Sequence, residues 1–106
     1  MHRVHANRQI HKQIDGIWQW NAKRRGEAVA TAVIEELWGV LVLLGAQPGM
    51  GVEGTRRGKP TRRFLAGDYW AYYQRVSGGI RVVCLKHHTR NQARDWDATL
   101  RQEGAD

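Results

Sequence analysis

Apolar positions in the first half of the chain recur at helical spacing. Ile10, Ile14, Ile17 and Trp18 fall on one face of a helix, while Arg8, Lys12, Asp15 and Gln19 fall on the other. Asn7 is placed to cap its start, Lys23, Arg24 and Arg25 suit the negative end of its dipole, and Gly26 suits a left-handed turn that ends it. A second helix is predicted from Glu27, with Val29, Val33, Leu37, Leu41 and Leu44 as its buried stripe and Gly45 as its stop. Gly39 inside it marks close packing or a bend. So short a connection favours an antiparallel hairpin.

The period then changes. Residues 1 to 6 alternate as a short strand, and Ala46 to Pro60 reads as a long loop rich in Gly, Pro and charge. Thr61 to Ala66, Tyr69 to Val76 and Ile80 to Lys86 are rich in aromatic and β-branched residues and are separated by Gly67-Asp68 and Ser77-Gly78-Gly79. They predict an antiparallel meander. In the last strand, Ile80, Val82 and Cys84 alternate with Val83 and Leu85, so both faces are apolar and the strand is expected to be central. The tail from Gln92 to Asp106 is expected to hold one short helix around Trp96 and Leu100. The fold class is therefore α+β: an N-terminal strand at a sheet edge, then a two-helix hairpin packed on a small twisted antiparallel sheet.

A chain of 106 residues forms one domain with a thin core, which five tryptophans and three tyrosines help to fill. No uninterrupted apolar run approaches the roughly 18 residues that a membrane span needs, and the start is too polar for a secretory signal, so a cytoplasmic protein is expected. The lone Cys84 has no internal disulfide partner and reads as a buried thiol. Net charge is +7 and uneven: +5 over residues 1–25, −3 over 26–45, +4 over 46–66, +3 over 67–90 and −2 over 91–106. Such a field speeds encounter with nucleic acid, the ribosome or an acidic protein without choosing among them.

No cofactor is expected. Cys84 and His87 alternate to opposite faces and no second Cys completes a tetrahedral set with His88, while His2, His5 and His11 read as exposed, so no metal site is expected. Gly49, Gly51 and Gly54 lack the strand and the Gly-Lys-Ser/Thr of a phosphate-cradling loop. Trp70 and Trp96 have no obvious helical partner and mark a candidate interface, Trp70 more readily in sheet packing.

One order of motifs stands out: Pro48-Gly49-Met50-Gly51 after the second helix, the Arg62-Arg63-Phe64-Leu65 strand, the Gly67-Asp68-Tyr69 turn, the Tyr72-Tyr73-Gln74-Arg75 strand and the closing His87-x-x-Arg90. Over residues 1 to 91 this resembles the RelE/ParE superfamily of bacterial toxins, and the ending resembles the ParE branch, although relatives there usually carry Asp at the position of Asn91. Residues 92 to 106 lie outside the resemblance as a C-terminal tail. ParE-like membership implies a toxin of a type II toxin-antitoxin module that poisons DNA gyrase without chemistry of its own. It also implies a cognate antitoxin, expected to be acidic, that wraps the toxin in a hetero-oligomer. Arg56, Arg57, Lys59, Arg62, Arg63, Arg90 and Trp96 are the candidate partner-binding residues.

The RelE branch instead cleaves messenger RNA on the ribosome, which requires a base for the ribose hydroxyl, positive charge on the transition state and an acid for the leaving oxygen. Arg62, Arg63 and Lys86 are the residues for charge, His87 or His88 for acid or base, and Tyr73 or Tyr72 for a hydroxyl. Against that, Arg62 and Arg63 alternate to opposite sides of one strand. The ParE reading is preferred.

Overall fold

The computed structural model describes residues 3–89 and 96–98. A strand β1 (Arg3–His5) leads into α1 (Arg8–Arg25) and α2 (Glu27–Ala46), followed by a single 3₁₀ turn at Pro48–Met50 and by β2 (Val52–Arg56), β3 (Lys59–Ala66), β4 (Tyr69–Val76), β5 (Gly79–His87) and β6 (Trp96–Ala98). The strands form one sheet in the order β1-β5-β4-β3-β2-β6, with β1 parallel to β5 and every other pair antiparallel.

Asn7 caps α1 as its sequence position predicts: its side-chain oxygen accepts the Ile10 N–H at 3.0 Å. Gly26 alone joins the helices, with φ 95° and ψ 162°, a combination essentially restricted to glycine. Its N–H closes α1 on the Ala22 carbonyl, and its own carbonyl accepts the Ala30 N–H that opens α2.

The buried stripe of α2 is Ala30, Leu37, Leu41 and Leu44, with Val33 and Ile34 half-buried, whereas Val29 is exposed. The expected stripe stepped by four residues from Val29 to Leu41, and each such step drifts about 40° around a helix of 3.6 residues per turn. Mixed steps of three and four hold the face. Gly45 does not stop α2 either: it lies buried in the last turn, where a Cβ would come within 3.3 Å of the Arg3 carbonyl oxygen and the Val4 side chain. It is small so that β1 can cross. Gly39 is exposed with nothing within 4 Å of a Cβ, so it marks no close packing. By length and composition α2 is apolar enough to cross a membrane. Its apolarity is accounted for on one side by core packing, since Leu37, Leu41 and Leu44 share one interior with Ile10, Ile14, Ile17, Tyr73, Ile80 and Val82.

The expected loop from Ala46 to Pro60 is mostly ordered backbone. β2 pairs with β3 from Val52↔Arg63 to Arg56↔Lys59, closed by a two-residue turn in which Arg57 (φ 54°) and Gly58 (φ 79°) both have positive φ. That turn matches the twist of a hairpin. Around Trp96 the chain forms the strand β6, not the expected helix.

One register shift changes which residues share a face. Tyr72 pairs with Cys84 but Tyr73 pairs with Val82, so Val83 is a bulge. After it the alternation inverts. Leu85 joins Ile80 and Val82 under the helices, while Cys84 packs with Tyr72, Trp70 and Val83 on the other face, contrary to the grouping that uninterrupted alternation predicts. Cys84 is a buried free thiol, as expected.

Candidate functional site

The two faces of the β3–β4 pair do different work. On the helix side, the Tyr73 hydroxyl donates to the Pro48 carbonyl at 2.7 Å and accepts the Gly51 N–H at 2.9 Å. Beside it, the Arg62 guanidinium donates to the Gly51 carbonyl (2.8 Å), the Gly49 carbonyl (3.4 Å) and the Glu53 carboxylate (3.1 Å). Together they staple the turn after α2 onto the sheet. Gly51 fits because a Cβ there would collide with the Tyr73 hydroxyl and come within 2.8 Å of the Arg63 carbonyl oxygen. Burial pushes the Tyr73 hydroxyl above its ordinary pKa, against the lowering effects of the Gly51 N–H, Arg62 and Arg75, so it stays protonated at neutral pH.

The opposite face gathers Arg63, Trp70, Tyr72 and Cys84, of which Tyr72 and Cys84 are buried. The Gly67-Asp68 turn sets Ala66 against Tyr69, which brings Arg63 opposite Tyr72 and Leu65 opposite Trp70. Arg63 lies over the Trp70 ring at 4.1 Å from its centroid and donates to the Tyr72 hydroxyl at 3.3 Å, a cation–π geometry that fixes the guanidinium. Lys86 is the cross-strand neighbour of Trp70 and Arg81 that of Gln74. No acidic residue of β2 to β5 alternates onto this face, since Glu53 pairs with Arg62 on the other. Cations beside ordered aromatic rings suit phosphates or carboxylates.

His87 lies at the end of β5, away from both arginines. Its Nδ1 accepts the Thr89 N–H at 3.2 Å and meets the Thr89 hydroxyl at 2.8 Å, so the neutral ring carries its proton on Nε2. The ring packs edge-on to Tyr69 at 5.1 Å and stacks on His88 at 4.7 Å. It borders a groove of about 650 Å³ shared with Gln13, Ile17, Trp20, Tyr69 and Thr89. Trp20, 45% exposed and overlain by Arg24 at 4.4 Å, is the large apolar residue on its rim. Val42 and Leu43 add exposed apolar surface on α2.

Of the residues suggested for RNA cleavage, then, Arg62 and Tyr73 share the turn staple, Arg63 lies on the other face with Trp70 and Tyr72, and Lys86 and His87 border the groove. Of those suggested for partner binding, Arg56, Arg57 and Lys59 sit together at the tip of the β2–β3 hairpin. Arg90 lies outside the described residues, and Trp96 takes the position opposite Arg56 in β6. Among the described residues no three His, Cys, Asp or Glu side chains gather as a metal site.

Residues 4–92 match the family described as the ParE toxin of the type II toxin-antitoxin system, parDE. The chain belongs to the ParE toxin family. Among solved structures, this ParE-family chain superposes on one described as the chromosomal ParDE TA system from P. aeruginosa, with a TM-score of 0.66 and 15% identity, over 82% of this chain and 96% of that one. No curated protein sequence matches it. The Arg63–Trp70–Tyr72 cluster was computable from the sequence, because a two-residue turn at Gly67-Asp68 fixes those cross-strand pairs. The Trp20 groove and the Tyr73 staple had no comparable local signal.

Proposed function

We propose that this ParE toxin inhibits growth by poisoning DNA gyrase through binding alone, and that a cognate acidic antitoxin neutralises it. Membership of the ParE family over residues 4–92 carries the reading. The separation of the side chains named for RNA cleavage supports it. The Tyr73 hydroxyl and the Arg62 guanidinium are engaged by main-chain groups of the Pro48–Gly51 turn, and His87 lies at the far end of β5. A transition state must be met by its base, acid and cations within hydrogen-bond reach at one point.

Antitoxin binding fits the same surfaces. Trp20, Val42 and Leu43 are exposed apolar anchors on the helices. The net charge of +7 favours an acidic partner, and electrostatic steering then accelerates its capture. A gyrase target implies action in the cytoplasm.

Purified protein is expected to inhibit gyrase supercoiling or trap cleaved DNA while a cell-free translation extract keeps its transcripts intact. Transcript cleavage with undisturbed supercoiling, abolished by Arg63→Ala, would replace this reading with the ribosome-dependent nuclease.

A further inference from the structure

The family match ends at residue 92, and the P. aeruginosa chain is matched over 96% of its length by 82% of this one. β6 therefore lies past the family domain. It nevertheless closes one side of the sheet, with Trp96, Asp97 and Ala98 opposite Arg56, Thr55 and Gly54 of β2. Without it, β2 would present an edge of unpaired main-chain donors and acceptors, which is a template for another strand.

Two observations say what chemistry that edge accepts. The hairpin behind it carries Arg56, Arg57, Lys59, Arg62 and Arg63, so the edge runs along a dense cluster of cations. The strand held there, Trp96–Ala98, carries one carboxylate, Asp97, and belongs to a tail, residues 92–106, that has two arginines against four carboxylates. A strand from an acidic tail thus lies on a basic edge. The ladder is also incomplete: β2 has five residues and β6 three, and Val52, 44% exposed, lies past the end of the pairing. Main-chain pairing does not depend on side-chain identity, so another extended segment of suitable charge makes the same bonds. A three-residue ladder holds few of them against the entropy of ordering the segment.

We propose that the outer edge of β2 is a docking site for an extended acidic segment of a protein partner, and that β6 occupies it until that partner arrives. The proposal rests on the antitoxin half of the reading above, whose partner it describes, and is independent of the gyrase half. β6 acts as an internal competitor: it shields the edge from a second copy of the chain and raises the partner concentration needed for capture.

The test uses the full-length chain carrying Thr55→Cys and Asp97→Cys, residues directly opposite across the ladder. Oxidation pins β6 to β2 and reduction releases it, with Cys84 buried elsewhere. The probe is a fluorescent synthetic peptide of residues 92–106 in the native sequence, with a scrambled peptide of equal composition as the control for charge alone. The reduced protein is expected to bind the native-order peptide at least ten-fold more tightly than the oxidised protein, and a chain ending at residue 92 is expected to bind it more tightly still. Equal binding to the oxidised and reduced forms overturns the proposal, as does equal binding of the scrambled peptide. A chain ending at 92 that dimerises and ignores the peptide overturns it in favour of a second copy. Supercoiling assays on the same proteins keep the two readings apart: redox-dependent peptide binding without gyrase inhibition supports the docking site and removes the gyrase target.

Discussion

Replacing Tyr73 by Phe removes one oxygen atom and separates a structural hydroxyl from a chemical one. The ring is fully buried and unchanged in shape, so apolar packing is retained. Two hydrogen bonds are lost. The Gly51 N–H is buried and has the Tyr73 oxygen as its acceptor at 2.9 Å, so the variant strands it, at a cost of about 1–3 kcal/mol. The Pro48 carbonyl, at 2.7 Å, is only half-buried and can turn to water, which adds little. The expected loss is about 2 kcal/mol. A domain of this size unfolds with an entropy near 0.2 kcal/mol/K, so the melting temperature should fall by roughly 10 °C. Alkaline pH supplies a second readout. Burial raises the folded-state pKa of Tyr73 above the unfolded value of about 10, so its contribution is fully present below pH 10 and fades as pH rises through the folded pKa. The difference in stability between wild type and variant should therefore narrow above pH 10. Calorimetry from pH 7 to 11 measures both effects. A melting temperature within 2 °C of wild type, or a difference that widens at alkaline pH, would refute the staple.

Gly51→Ala should be more damaging than Tyr73→Phe, at about 3 kcal/mol or more, because its Cβ would collide with both the Tyr73 hydroxyl and the Arg63 carbonyl; chemical denaturation of the two variants side by side checks the order. Gly39→Ala should stabilise the protein by up to about 1 kcal/mol, since the position is exposed, helical and open, and a shift of the denaturation midpoint measures it. Asn7→Ala should cost about 1 kcal/mol through the lost cap at Ile10, seen as a lower denaturation midpoint with an unchanged slope. Raising salt to 1 M should slow association with the acidic antitoxin, measured by stopped flow; an unchanged on-rate would remove the electrostatic part of the partner reading.

Local signals made the helices and the three-strand meander legible. Asn7, Gly26 and the isoleucines of α1 act over one or two turns, and the turn at Gly67-Asp68 sets its own register. What sequence reading missed depends on contacts far apart in the chain. β2 looked like a loop because Gly51, Gly54 and Gly58 suggest irregular backbone, yet Gly51 yields space to Tyr73 and Gly58 takes a positive φ in the hairpin turn. Gly45 looked like a helix stop for the same reason, although β1, more than forty residues earlier, sets its size. The bulge at Val83 has no signature in an apolar run in which every residue suits either face. At the candidate site, alternation correctly divided Arg62 from Arg63, but nothing local distinguished the arginine that holds a turn from the one that lies on a tryptophan.

That division gives two neighbouring arginines different work. A guanidinium whose donors are consumed by carbonyls contributes field but little recognition. Arg62, bonded to Gly51, Gly49 and Glu53, is of that kind. Arg63, one residue on, points to the other face and lies over the Trp70 ring at 4.1 Å from its centroid, which restricts its rotamers before any partner arrives. The entropy of ordering a long side chain is thereby spent in folding and not at the interface. Arg62→Ala should accordingly loosen the Pro48–Gly51 turn and lower stability, while Arg63→Ala should leave the fold standing and lower partner affinity. If instead Arg63→Ala unfolds the chain and Arg62→Ala lowers only partner affinity, the two faces have been assigned the wrong way round.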